Sequence, residues 1–116
     1  MGTHCKIIIG YADKDGLWIE TEKMYYRHYD GYPEAILPLL KEYGTDIDAM
    51  NEIAEYEGHK FELIEPKDWY HNKGQDFHYY ININLKETTC TVLGLDYDFW
   101  HKYQIDNYKV FEELVL

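Results

Sequence analysis

A chain of 116 residues, 46% of them apolar, can bury one hydrophobic core and reads as a single domain over 1–116. Asp and Glu number 22 against 11 Lys and Arg, a formal charge of −11. All but one of the cations are lysines, so direct nucleic-acid binding, which gathers cations on one surface and favours arginine, is disfavoured. No apolar run approaches the roughly 20 residues of a membrane span, and the opening Met-Gly-Thr-His-Cys-Lys is neither a secretory signal nor a myristoylation box. The expectation is a soluble cytoplasmic protein.

Residues 5–11 (CKIIIGY) form a short apolar run, 13–16 (DKDG) a turn signal, and 17–29 an extended aromatic and β-branched segment. Together they predict an N-terminal hairpin. Pro33 then opens a helix with Ile36, Leu37, Leu40 and Tyr43 at helical spacing and Gly44 at its end. Pro38 is expected to kink or restart it. Residues 45–48 (TDID) have the form of a capping box, Thr45 at the cap and Asp48 three on. The amphipathic helix that follows turns Ile47, Met50 and Ala54 inward and an acidic stripe of Asp48, Glu52 and Glu55 outward, and Gly58 closes it.

Residues 60–76 hold a short strand candidate and a punctuated loop. The clearest strand is 77–85, where Phe77, Tyr79, Ile81, Ile83 and Leu85 alternate with polar or smaller neighbours and are expected in the core. A second strand, 88–95, follows a tight connection at Lys86-Glu87, and 99–105 is read as a third. The tail 106–116 suggests a terminal helix with Tyr108, Phe111, Leu114 and Val115 inward, with a strand as the alternative. Strands, then helices, then strands predict an α+β domain: an antiparallel sheet of about five strands, two helices on one face, the other face solvated.

The segment 25–34 (YYRHYDGYPE) stands out. Structurally, Pro33 suits the first helical position, and Glu34 the positive end of the helix dipole. Gly31 suits a positive φ, and the Asp30 carboxylate suits bonds to backbone amides in a turn. That leaves Arg27, the sole arginine, and His28 unexplained. In an extended segment His28 and Asp30 share one face, the imidazole–carboxylate half of a general base. No nucleophile elbow, HExxH or phosphate loop accompanies them, so no catalytic residue is assigned. The candidate ligand-binding set is Arg27, His28, Asp30 and Tyr32.

The other histidines offer less. His71, Asp76 and His78 surround a loop expected to be solvated, and His4, His59 and His101 have no readable partner. Cys5 and Cys90 read as buried reduced thiols, with a disulfide as the open alternative. No CxxC or Cys/His spacing points to a metal, and no cofactor is expected.

The hairpin followed by His28-Tyr29-Asp30-Gly31-Tyr32-Pro33 and its helix resembles a group of small uncharacterised phage and prophage proteins with a His-x-Asp-Gly-Tyr-Pro box. The resemblance covers the first third of the chain well and the rest in character. Tyr29 stands where tryptophan or asparagine is common, and Pro38 interrupts the helix. The resemblance implies a mobile-element origin, in the host cytoplasm, and nothing catalytic.

Two functional readings follow. One is a non-enzymatic protein that engages a basic host protein through Asp48, Glu52 and Glu55, in one version by DNA mimicry. The alternative is a small-ligand-binding domain or small enzyme centred on Arg27, His28 and Asp30. A deep pocket holding those side chains favours the second, and their burial in packing favours the first.

Overall fold

The computed structural model describes residues 3–12, 18–65, 76–84, 87–104 and 107–116. The N-terminal hairpin is present: β1 (Cys5–Ala12) pairs antiparallel with β2 (Trp18–Arg27), Cys5 facing Arg27 and Ile8 facing Met24. β3 (Glu62–Ile64) adds to the outer edge of β2. On the other side of β1 lies β4 (Phe77–Ile83), then β5 (Thr88–Leu95) and β6 (Tyr108–Val115), giving six strands in the order β3-β2-β1-β4-β5-β6.

The fold is α+β, but the sheet is mixed rather than antiparallel. β1 and β4 run parallel, with Ile7 beside Tyr79 and Ile9 beside Ile81. A parallel pair needs a crossover, which the helical middle of the chain provides. The central position of β1 also explains its sequence. Residues 5–10 are all buried, as expected of a strand covered on both faces. Lys6 and His78, paired across the β1–β4 ladder, are both buried on the face away from the helices. The expectation of a solvated second face is therefore corrected there.

α1 (Pro33–Tyr43) and α2 (Ile47–Glu52) cover the other face. One core joins Cys5, Ile7 and Ile9 of β1 to Tyr79, Ile81, Cys90 and Val92 on β4 and β5. Ile36, Leu37 and Leu40 of α1, Ile47 and Met50 of α2, and Phe61 close it from above. Phe77 and Ile83 pack against this core, so the alternation along β4 is as expected; Leu85 lies outside the described residues. Pro33 opens α1 as expected, and the helix runs unbroken through Pro38. Pro38 and the residue four before it, Glu34, are both exposed, so solvent satisfies the carbonyl that proline leaves without a donor.

α2 departs from expectation at both ends. Its cap is Asp46, whose side chain accepts from the Ala49 amide at 3.2 Å, and not Thr45. It stops at Glu52, well before Gly58. Just inside its end the Asn51 side chain turns to the backbone of Phe61, accepting from its N–H at 2.7 Å and donating to its carbonyl at 3.1 Å. That clasp ties α2 to the approach to β3. Ala54 and Glu55 follow the helix, so the acidic stripe is not one helical face.

Near the C-terminus, 99–103 is helix in place of the strand expected over 99–105, and Ile105 lies outside the described residues. Residues Tyr97–Tyr103 form α3, begun by Asp96, whose carboxylate accepts from the Phe99 amide at 3.2 Å. The tail takes its strand alternative as β6, with Leu114 packed on the core and Phe111 and Val115 largely exposed. Cys5 and Cys90 are buried free thiols on strands separated by β4, and burial pushes both up to about 12. No helix among the described residues is long and apolar enough to cross a membrane.

Candidate functional site

The corner between β2 and α1 is fastened to the start of β1. Gly31 donates its N–H to the Thr3 carbonyl at 2.7 Å, and its own carbonyl accepts from the buried Tyr79 hydroxyl at 2.6 Å. A Cβ on Gly31 would lie 2.7 Å from the Cys5 Cβ and 2.8 Å from the Cys5 nitrogen. Glycine is required here for close approach. The positive φ expected of Gly31 belongs instead to Asp30, at 55°.

That turn redirects the Asp30 side chain. The extended alternation stops before it reaches residue 30, so Asp30 and His28 do not pair. Among the described residues the Asp30 carboxylate bonds His59 Nε2 rather than the backbone amides expected of it. His28 is exposed, and its ring lies 4.6 Å from that of His4. The Tyr26 hydroxyl is 2.9 Å from His28 Nδ1 and 3.2 Å from His4 Nδ1. Tyr29 packs edge-on against His28 at 4.4 Å, and Tyr56 lies over His59 at 4.0 Å. Tyr32 is the exposed N-cap residue of α1 and makes no side-chain cap bond.

Arg27 points the other way, under the helices. It is 7% exposed. Its Nε donates to the Tyr29 carbonyl at 2.7 Å, and its guanidinium carbon sits 5.3 Å from the centre of the Phe61 ring. Among the described residues no carboxylate forms an ion pair with it. Burial pulls its pKa below the usual arginine value, opposed by the acidic groups around it, Cys5 and Asp30 first. Arginine nevertheless keeps its proton, so a charge remains with most of its hydration removed.

Arg27 lines a cleft of about 270 Å³ between α1 and α2, together with Ala35, Leu39, Met50, Ile53, Ala54, Glu55 and His59. Of the four expected ligand residues, the structure places Arg27 in the cleft and holds Asp30 at its edge through His59. His28 and Tyr32 are not among the cleft residues. Of the acidic trio, Asp48, Glu52 and Glu55 are all exposed, and Glu55 also lines the cleft. His59 and the apolar walls were missed, because Asp30 and His59 are 29 residues apart and their meeting is a property of the fold.

Chemically the cleft offers one fixed cation, one carboxylate, one carboxylate-oriented imidazole and an apolar wall. Among the described residues its lining has no Ser, Thr or Cys to serve as a nucleophile. Elsewhere, His71 lies outside the described residues, while Asp76 is tied to the Tyr97 hydroxyl and the His4 amide. With His78 buried in β4, the expected solvated cluster is corrected there: Asp76 and His78 are built into the fold. Among the described residues no group of His, Cys, Asp and Glu could hold a metal ion. Comparison with protein-family models, curated proteins and solved structures finds no match for this chain.

Proposed function

We propose that this protein is a non-enzymatic binding domain for a small organic anion, with the cleft between α1 and α2 as its site. The observation that supports this most is Arg27, a buried cation without a carboxylate ion pair among the described residues, lining a cavity with apolar walls. A buried charge is costly unless paired. An anion entering the cleft supplies the missing pair by charge-assisted hydrogen bonds, in surroundings where such bonds are stronger than in water. Phe61 and the Tyr29 carbonyl fix the guanidinium in place before the ligand arrives, which limits the entropy lost on binding.

The test is thermal denaturation with and without small anions. A ligand present at 100 times its Kd stabilises the folded state by about 2.7 kcal/mol, a rise in Tm of several degrees. Arg27→Gln is expected to fold and to lose that rise. An equal rise in the variant would place the anion elsewhere.

A second reading has its own support. Asp48, Glu52 and Glu55 are all exposed, none forms an ion pair among the described residues, and α2 has no basic residue in its last turn. Under this reading they engage a basic host protein, in the manner of a DNA mimic encoded on a mobile element. Reversing all three to lysine is then expected to abolish a salt-sensitive association with that partner and leave the melting transition in place.

A further inference from the structure

We infer that the ligand of the Arg27 cleft is a monoanionic carboxylate with a short aliphatic chain, bound head-inward on the guanidinium with its chain between α1 and α2. This rests on the anion-binding reading and narrows it. Charge limits the ligand to a single negative group. Among the described residues Arg27 is the one permanently charged cation of the lining, and Glu55 stands in the same lining. Asp30 is held at the edge by His59. One guanidinium can offset one negative charge, and a second charge, as on a phosphate monoester, would face both carboxylates in a chain of net charge −11.

Donor geometry favours a carboxylate. Among the described residues the Arg27 side chain is committed only through Nε, to the Tyr29 carbonyl, which leaves the Nη groups for the ligand. Two parallel N–H donors match the two oxygens of a carboxylate. The wall favours an aliphatic chain. Ala35, Leu39, Met50, Ile53 and Ala54 carry no side-chain hydrogen-bonding group for a sugar or an amide. Ile53 is 53% exposed, so a chain lying against it gains burial that the free protein lacks. A cleft of about 270 Å³ is small for a ligand site and suits a carboxylate with a short chain.

Calorimetric titration at pH 8, where inorganic phosphate is mostly the dianion and the carboxylates are monoanions, tests this with acetate, 4-methylvalerate, 4-methylpentanol, inorganic phosphate and N-acetyl-leucine. The 4-methylvalerate is expected to bind at least tenfold more tightly than acetate, since each buried methylene contributes about 0.8 kcal/mol. It should also exceed phosphate at least tenfold, and the neutral alcohol should bind at least tenfold more weakly than the acid. Glu55→Gln, at an exposed position, should bring phosphate several-fold closer to the carboxylate. Phosphate binding as tightly as 4-methylvalerate, or a ratio unmoved by Glu55→Gln, would overturn the monoanion assignment while leaving anion binding intact. Tighter binding of N-acetyl-leucine would overturn the free acid in favour of a peptide C-terminus. If none of the anions binds, the anion-binding reading itself fails.

Discussion

Gly31→Ala is expected to be among the most damaging single substitutions in this chain. The added Cβ would meet Cys5 Cβ at 2.7 Å, Cys5 N at 2.8 Å and the His4 carbonyl carbon at 2.8 Å. Two of these are backbone atoms of β1's entry, and Gly31 is already tied to that entry through Thr3 and to β4 through Tyr79. Overpacking against parts that cannot yield costs about 3 kcal/mol, which lowers Tm by about 10 °C in a domain of this size. Gly44→Ala is the comparison. Its φ of 61° with ψ of −121° lies in a region open mainly to glycine, and an added Cβ has nothing within 4 Å, so the cost is backbone strain alone, about 2 kcal/mol and less than the overpacking at Gly31. If Gly31→Ala melts no lower than Gly44→Ala, the corner is not pinned as described.

The second large effect is acid destabilisation through His78. Burial, helped by the neighbouring Lys6 charge, pulls its pKa from 6.5 down to about 4. The unfolded chain therefore takes up the proton first as pH falls. The stability contribution is complete above pH 6.5 and is lost progressively between 6.5 and 4. A gap of this size corresponds to about 3 kcal/mol at the acid end. Denaturant titrations of wild type and His78→Phe across this window should show the loss in the first and not in the second; parallel pH profiles would contradict the assignment. Lys6 acts on the same face with the opposite limb. Burial draws its amine from 10.5 down to about 8, so below pH 8 it carries a buried charge in the fold, and stability should rise as pH climbs from 8 towards 10.5.

Local patterns in the sequence carried over well. The alternation along 77–83, the two extended runs of the N-terminal hairpin, and Pro33 before a helical repeat each depend on neighbours a few residues apart, while the turn expected at 13–16 lies outside the described residues. The parallel pairing of β1 with β4 was not legible, because alternation says which face a residue takes and not which strand lies beside it. The continuous run at 6–9 did carry a hint, since a strand buried on both faces reads that way, but Lys6 obscured it. Residues 99–105 and the tail are short apolar segments that fit either period, and Asp96 as a cap was the overlooked signal. In α2 the spacing of Ile47, Met50 and Ala54 continues past the real end of the helix. Near that end Asn51 clasps the backbone of Phe61, ten residues away, a contact that local spacing does not announce. For the site, Arg27 stood out as the sole arginine. The lining contributed by α1 and α2, and the exchange of His28 for His59 as Asp30's partner, follow from contacts between distant segments.

The presence of a single arginine gives the account its most direct measurement. In a nitrogen-labelled sample the guanidinium Nε–H of Arg27 is one resolvable arginine side-chain signal, and it can be followed while 4-methylvalerate is added. Binding on the guanidinium predicts a saturable shift of that signal, with the same Kd as the shifts of backbone amides at Leu39, Met50 and Ile53. A guanidinium signal that stays fixed while other amides titrate, or no saturable change anywhere, would contradict the claim that Arg27 holds the ligand's charge.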